Sequence, residues 1–80
     1  MPTIRQLEYL VAIADLQHFH KAAAKVNTSQ PTLSGQLKVL EDRLDVQLVE
    51  RSRSSVMLTE TGELIVWNLE KWIALHLRRE

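Results

Sequence analysis

Gln30, Pro31, Thr32 and Ser34, with Lys38 one turn further on, are the residues of this sequence best equipped for recognition chemistry. A glutamine amide can pair bidentately with adenine, a serine hydroxyl can bond either kind of base edge, and proline and threonine carbons offer apolar contact to a thymine methyl. Ser29, just ahead of them, is a good helix cap, and the free backbone N–H groups of a helix start suit a phosphate. Two further cations, Arg51 and Arg53, lie in a polar stretch with Ser52, Ser54 and Ser55. The chemistry available is hydrogen bonding and charge pairing with an anionic partner, of which nucleic acid is the commonest.

The distribution of charge bears on this. Lys plus Arg number 10 and Asp plus Glu number 10, so the net charge is zero. From Leu16 to Leu40, however, the charged residues are Lys21, Lys25 and Lys38, with His18 and His20 and no acid; from Arg51 to Thr59 they are Arg51 and Arg53. The acids collect at Glu41, Asp42, Asp45 and Glu50 and at Glu60, Glu63 and Glu70. Charge alone leaves two readings open, an anionic partner or plain solvated helix faces.

Other chemistry is poorly supported. With no cysteine there is no disulfide framework, thiolate metal site or cysteine nucleophile. Ser, His and Asp occur without a nucleophile elbow or a Gly-rich phosphate loop. His18 and His20 lack a nearby carboxylate to complete a metal site. The sequence therefore reads as no enzyme, with no cofactor and no metal. The start, Met1-Pro2-Thr3-Ile4-Arg5, is not a signal peptide, and no apolar run approaches the ~20 residues of a membrane span. A cytoplasmic location is expected. At 80 residues the chain is one small domain whose stability gains from a partner subunit.

The elements that must position these residues follow from periodicity. Thr3 and Gln6 form a capping box for a helix from Ile4 to Leu16, with Leu7, Leu10, Val11 and Ala14 as its apolar face. After the Gln17-His18 break, Phe19, Ala22, Ala23 and Val26 mark a second, short helix, and Asn27-Thr28-Ser29 a tight turn. A third helix starts at Ser29 with Pro31 in its first turn, and Leu33, Leu37, Leu40 and Leu44 form its buried stripe. The opposite face carries Pro31, Ser34, Gly35 and Lys38, with Thr32 on its flank. Asp45 closes this helix. Val46 to Arg51 and Val56 to Leu58 are expected as two strands of a hairpin, and Thr59 as the cap of a last helix running to the C-terminus. Arg78 and Arg79 suit the negative end of that helix dipole.

Two short helices, a tight turn and a basic hairpin outline a winged helix-turn-helix. The run from Phe19 to Leu58 with Thr59-Glu60-Thr61-Gly62-Glu63 resembles the N-terminal DNA-binding domain of LysR-type transcriptional regulators. Ala22-Ala23, Ser29 through Ser34, Leu40-Glu41, Leu48-Val49-Glu50-Arg51 and Leu58 through Gly62 carry the resemblance, which extends from about Ile4 to about Val66. The segment Ser29 to Gln36 is most like the peroxide-responsive OxyR branch of that family. The resemblance implies a mainly α fold, with three helices and a two-stranded wing over residues 1–59 and a linker or dimerisation helix over residues 60–80. It implies sequence-specific binding of double-stranded DNA at an inverted-repeat operator. The positions matching Gln30, Pro31, Thr32 and Ser34 then face the major groove. Arg51 and Arg53 then sit on a wing at the backbone or minor groove, Arg51 having a second candidate role in pairing with Glu50 or a neighbouring acid. There are departures: Gly35 stands where many members have an arginine, Ser54 replaces a frequent wing arginine, and Asp45 replaces a common glycine.

The last helix is apolar beyond what one small domain can cover. Ile65, Leu69, Trp72, Ile73 and His76 form one stripe, with Leu64, Trp67 and Leu75 beside it, and a homodimer seam on Ile65, Leu69, Trp72 and Ile73 is expected. Family members continue into an effector-binding domain that this sequence lacks, so an isolated DNA-binding domain that binds no small-molecule effector is expected. Two alternatives stand beside this one: a helical protein-interaction module, and a truncated regulator that dimerises with a full-length relative.

Overall fold

Thr3 and Gln6 cap the first helix reciprocally, each side chain taking the other's backbone N–H at 3.1 Å. The computed structural model describes residues 2–52 and 55–76, apart from the side chains at 73 and 76. The expectations placed on Arg53, Ser54, Arg78, Arg79 and the side chains of Ile73 and His76 thus lie outside the described residues. The order of elements is α1 (Ile4–Leu16), α2 (Phe19–Lys25), α3 (Gln30–Leu44), β1 (Val49–Arg51), β2 (Val56–Leu58) and α4 (Glu60–His76). The fold is mainly α, a three-helix domain with a two-stranded antiparallel wing and a long last helix, in agreement with the sequence.

Local chemistry sets the breaks. Gln17 ends α1 in the left-handed region at φ 51°, its N–H bonded to the Ile13 carbonyl. His18 then caps α2, its Nδ1 accepting the Lys21 N–H at 3.3 Å. Asn27, at φ 56°, turns the chain between α2 and α3, as a short polar side chain tolerates. Asp45 ends α3 at φ 56°, taking the place where glycine is usual.

The core joins Tyr9, Leu10 and Ile13 of α1, Ala22 and Ala23 of α2, Leu33, Leu37 and Leu40 of α3, Leu48, Val49 and Val56 of the hairpin, and Val66 of α4. The two alanines of α2 let α1 and α3 close around it. The buried face of α1 is rotated from the one expected: Gln6, Tyr9, Leu10, Ala12 and Ile13 are buried, whereas Leu7, Val11 and Ala14 are half-buried. Leu7 and Val11 instead line an apolar groove with Ile4, Val26, Leu69 and Trp72 between α1 and α4. Gln6 tolerates burial because both ends of its amide have partners: Oε1 takes the Thr3 N–H, and Nε2 donates to Gln36 Oε1 at 3.1 Å.

The first strand is shorter than the expected Val46 to Arg51. Pairing runs only from Val49↔Leu58 to Arg51↔Val56. Before it, the N–H groups of Leu48 and Val49 donate to the carboxylate of Glu41, at 2.8 and 3.1 Å, rather than to a strand. A side chain seven to eight residues upstream thus takes the place of a ladder partner.

Candidate nucleic-acid interface

The α2–turn–α3 unit presents the N-terminal half of α3 outward. Leu33, Leu37 and Leu40 anchor the inner side at 0% exposure. Gln30, Pro31, Thr32, Gly35 and Lys38 are exposed away from that stripe and Ser34 is half-buried, while Gln36, also exposed, lies on the flank that meets α1. Five of the expected recognition residues, Gln30, Pro31, Thr32, Ser34 and Lys38, therefore share one side of one helix. No acid lies along α3 until Glu41, so the front is small, polar and singly positive. A helix with such a face can enter a ~12 Å major groove.

Ser29 has a defined structural role at this site. Its Oγ accepts the Thr32 N–H at 3.1 Å and donates to Thr32 Oγ1 at 2.8 Å. The cap thereby orients the threonine hydroxyl as well as starting the helix. The position of α3 is set from behind by the Gln6–Gln36 bond, which ties it to α1. Arg5 ties α1 to the end of α2, donating to the Val26 carbonyl at 3.2 Å and to the Tyr9 hydroxyl at 3.2 Å. Of these three positioning residues, spacing points to Gln6 alone, and Gln36 and Arg5 carry no such signal. The one legible signal was the capping box, which marked Gln6 for the helix start but not for its second bond.

At the far end of α3, Arg51 is drawn to its own domain. Its Nη1 lies 3.6 Å from Glu41 Oε1, and its guanidinium carbon 5.7 Å from the centre of the Phe19 ring. The acid partner anticipated for Arg51 is therefore Glu41, distant in sequence, rather than Glu50. A polar crevice beside this pair is lined by Lys38, Asp42, Asp45 and Gln47. The wing is closed by Ser52, whose N–H donates to the Ser55 carbonyl at 2.9 Å, while Arg53 lies outside the described residues.

The wing also locks α4. Thr59 donates from its N–H to the Leu48 carbonyl at 2.9 Å and from Oγ1 to the Gln47 carbonyl at 2.6 Å, and the same Oγ1 accepts the Gly62 N–H at 3.0 Å. Of the residues expected at a dimer seam, Ile65 packs against the core, and Leu69 and Trp72 line the groove facing α1. Leu64, Trp67 and Leu75 are more exposed, and Lys71 Nζ sits 4.6 Å above the Trp67 ring.

Among known proteins, the chain is 54% identical over 63 residues to the "DNA-binding transcriptional dual regulator OxyR" of Escherichia coli K12, a match covering 79% of this chain and 21% of that protein. It thus spans about a fifth of the length of this relative. Its fold is similar to oxidised OxyR of Corynebacterium glutamicum, with TM-score 0.86 and 41% identity over 94% of this chain and 24% of that one. It is similar also to the DNA-binding domain of BenM in a complex with benA site 1 DNA, with TM-score 0.83 and 38% identity over 90% of this chain and 81% of that one. The model of bacterial regulatory helix-turn-helix proteins of the lysR family matches residues 4–63, three quarters of the chain and every element that builds the interface, and the chain belongs to that family.

Proposed function

We propose that this chain is a DNA-binding domain of a transcription regulator, seating α3 in the major groove of double-stranded DNA. The observation that carries this reading is the acid-free outward side of α3, where Gln30, Pro31, Thr32, Ser34 and Lys38 stand together on a helix braced from behind. The BenM domain, of like fold, is in complex with DNA. Gln30 and Ser34 read base edges, Pro31 and Thr32 meet thymine methyls, Ser29 and Lys38 face phosphate, and Arg51 and Arg53 serve the wing. The role is binding in the cytoplasm, without catalysis.

A titration of duplexes selected from a random-sequence pool tests it. Affinity should fall linearly in log[salt], by about 0.9 log unit per log unit of salt for each phosphate contacted. Lys38→Ala should lower that slope by about 1 for all sequences alike. Gln30→Ala should cost about 1–2 kcal/mol on the selected site and relax its preference, with an unchanged melting temperature. A Gln30→Ala variant with the parent's preference would take Gln30 out of the readout.

The domain acts as a homodimer through α4, on an inverted repeat. Support comes from the apolar surface α4 leaves uncovered: Leu64, Trp67 and Leu75 are each about 60% exposed beside the groove that Leu69 and Trp72 form with α1. A second copy covers both and sets two recognition helices about 34–36 Å, or a multiple, apart. The double variant Leu64→Glu, Leu75→Glu should sediment as a monomer with unchanged helicity and lose affinity for an inverted repeat while retaining it for a half-site. A monomeric variant that holds the inverted repeat as tightly as the parent would overturn the dimer.

A further inference from the structure

Two polar side chains are buried among the described residues, Gln6 and Glu41. Glu41 holds the start of the wing. Gln6 reaches across to α3, and the order of donors and acceptors in that contact is fixed by the backbone. The Thr3 N–H can only donate, so the amide atom of Gln6 that faces it, at 3.1 Å, is the oxygen. The other end of that amide is then Nε2, which can also only donate. The atom of Gln36 that meets it, at 3.1 Å, is therefore Oε1. The free end of the Gln36 amide is its Nε2, an N–H donor group with no partner among the described residues.

Gln36 is exposed, and at about 100° per residue it lies on the flank of α3 that carries Thr32, one turn earlier. Thr32 is biased in the same sense: its Oγ1 accepts from Ser29 Oγ at 2.8 Å, which leaves its own proton to donate. Two donors thus stand in line on one flank. The flank of a helix seated in the major groove faces the groove wall, where the phosphates stand, while its leading edge faces the bases. A glutamine reads adenine with both ends of its amide, one accepting and one donating. The accepting end of Gln36 is occupied by Gln6, so that pairing is closed to it. A donor alone suits a phosphate oxygen, and glutamine is among the side chains that bond phosphate.

We propose that Gln36 donates from Nε2 to a phosphate oxygen of the duplex, and that Gln6, buried behind it, is the positioning residue that fixes this polarity. The cap of α1 thus decides, two hydrogen bonds away, what α3 offers to the DNA backbone. The inference rests on the DNA-binding reading above and adds to it a phosphate contact and the buried residue that orients it.

In the full chain, Gln36→Ala should weaken binding to a selected and to a scrambled duplex alike, about 10- to 100-fold, the worth of a hydrogen bond to a charged group. Its salt slope should stay that of the parent, since a neutral amide, unlike Lys38, releases no counterion. A methylphosphonate replaces a phosphate oxygen by a methyl. Scanned along the selected duplex, it should weaken the parent at a position where Gln36→Ala no longer responds. Gln6→Glu tests the polarity. Its carboxylate still takes the Thr3 N–H, as in the usual capping box, but its second oxygen can only accept. Gln36 must then turn Nε2 inward and present its oxygen to the phosphate. Gln6→Glu should keep the helicity of the parent and bind at least as weakly as Gln36→Ala, yet add little to the loss in the Gln36→Ala background. An equal further loss there would show a charge acting at a distance and overturn the role of Gln6, as would parent-like binding by Gln6→Glu. Parent-like binding by Gln36→Ala, or a methylphosphonate response unchanged in it at every position, would overturn the contact whether or not Gln6→Glu folds. A parent chain that binds no duplex at low salt would instead overturn the DNA-binding reading, and this one with it.

Discussion

Glu41→Ala is expected to lose about 2–6 kcal/mol of stability, read from urea unfolding. The Glu41 carboxylate is the acceptor for the N–H groups of Leu48 and Val49, two residues with 0% exposure. Truncation leaves both donors buried without a partner, at about 1–3 kcal/mol each. A domain of this size has only about 4–12 kcal/mol in total, so the loss takes a large part of it. The nearby ion pair does not carry this effect. Arg51 sits 3.6 Å from Glu41 with about a third of its side chain exposed, and removing such a contact by Arg51→Ala should cost no more than about 1 kcal/mol. Glu41→Gln, which keeps an acceptor oxygen of the same reach, should recover most of the loss. If Glu41→Ala unfolds within about 0.5 kcal/mol of the parent, the start of the wing is not held by this carboxylate.

Gly62→Ala is expected to destabilise the chain by about 2–3 kcal/mol, against its own helix propensity. On propensity alone, alanine inside α4 would gain about 1 kcal/mol. The Leu48 backbone blocks it: the new methyl would occupy the space of the carbonyl oxygen, with the carbonyl carbon and Cα of Leu48 next in line. That carbonyl cannot step aside freely, because it accepts the Thr59 N–H that starts α4. Overpacking costs about 1–3 kcal/mol where side chains can give, and more where the obstacle is backbone. Packing therefore outweighs propensity. Thermal unfolding by circular dichroism of Gly62→Ala beside Gly35→Ala would show it, the same substitution lowering the midpoint at one site and raising it at the other. A rise at both sites would mean that α4 does not seat on the Leu48 carbonyl.

The elements were legible in the sequence because their signals are local. Leu33, Leu37 and Leu40 repeat at helical spacing and are buried as a stripe, and this alone faces Pro31, Thr32, Gly35 and Lys38 outward. Thr3, Ser29 and Asp45 mark helix ends through bonds or backbone angles that span three or four residues, within reach of inspection. The likeness of Ser29 through Gln36 to the OxyR branch is likewise a property of contiguous residues, and OxyR proteins are among the relatives found.

Where the sequence misled, the deciding partner was far along the chain. The first strand was drawn from Val46 because β-branched residues begin there, yet Glu41 takes the N–H groups of Leu48 and Val49 and pairing starts only at Val49. Hydropathy assigns the face of α1 to Leu7, Leu10, Val11 and Ala14, of which Leu10 is fully buried and the other three half-buried, because which side of a helix is buried depends on where its neighbours lie. Here α2 and α3 cover Tyr9, Leu10 and Ile13, and α4 leaves Leu7 and Val11 in a groove. Gln6 reads as a cap from its spacing, and only the approach of α3 gives it Gln36, 30 residues away. The two glycines look alike in the sequence, and only packing separates the one pressed against Leu48 from the one facing open space. Periodicity and caps are properties of neighbouring residues and can be read in order. Burial, long-range hydrogen bonds and steric room are properties of surfaces brought together by folding, so the tertiary structure alone decided them.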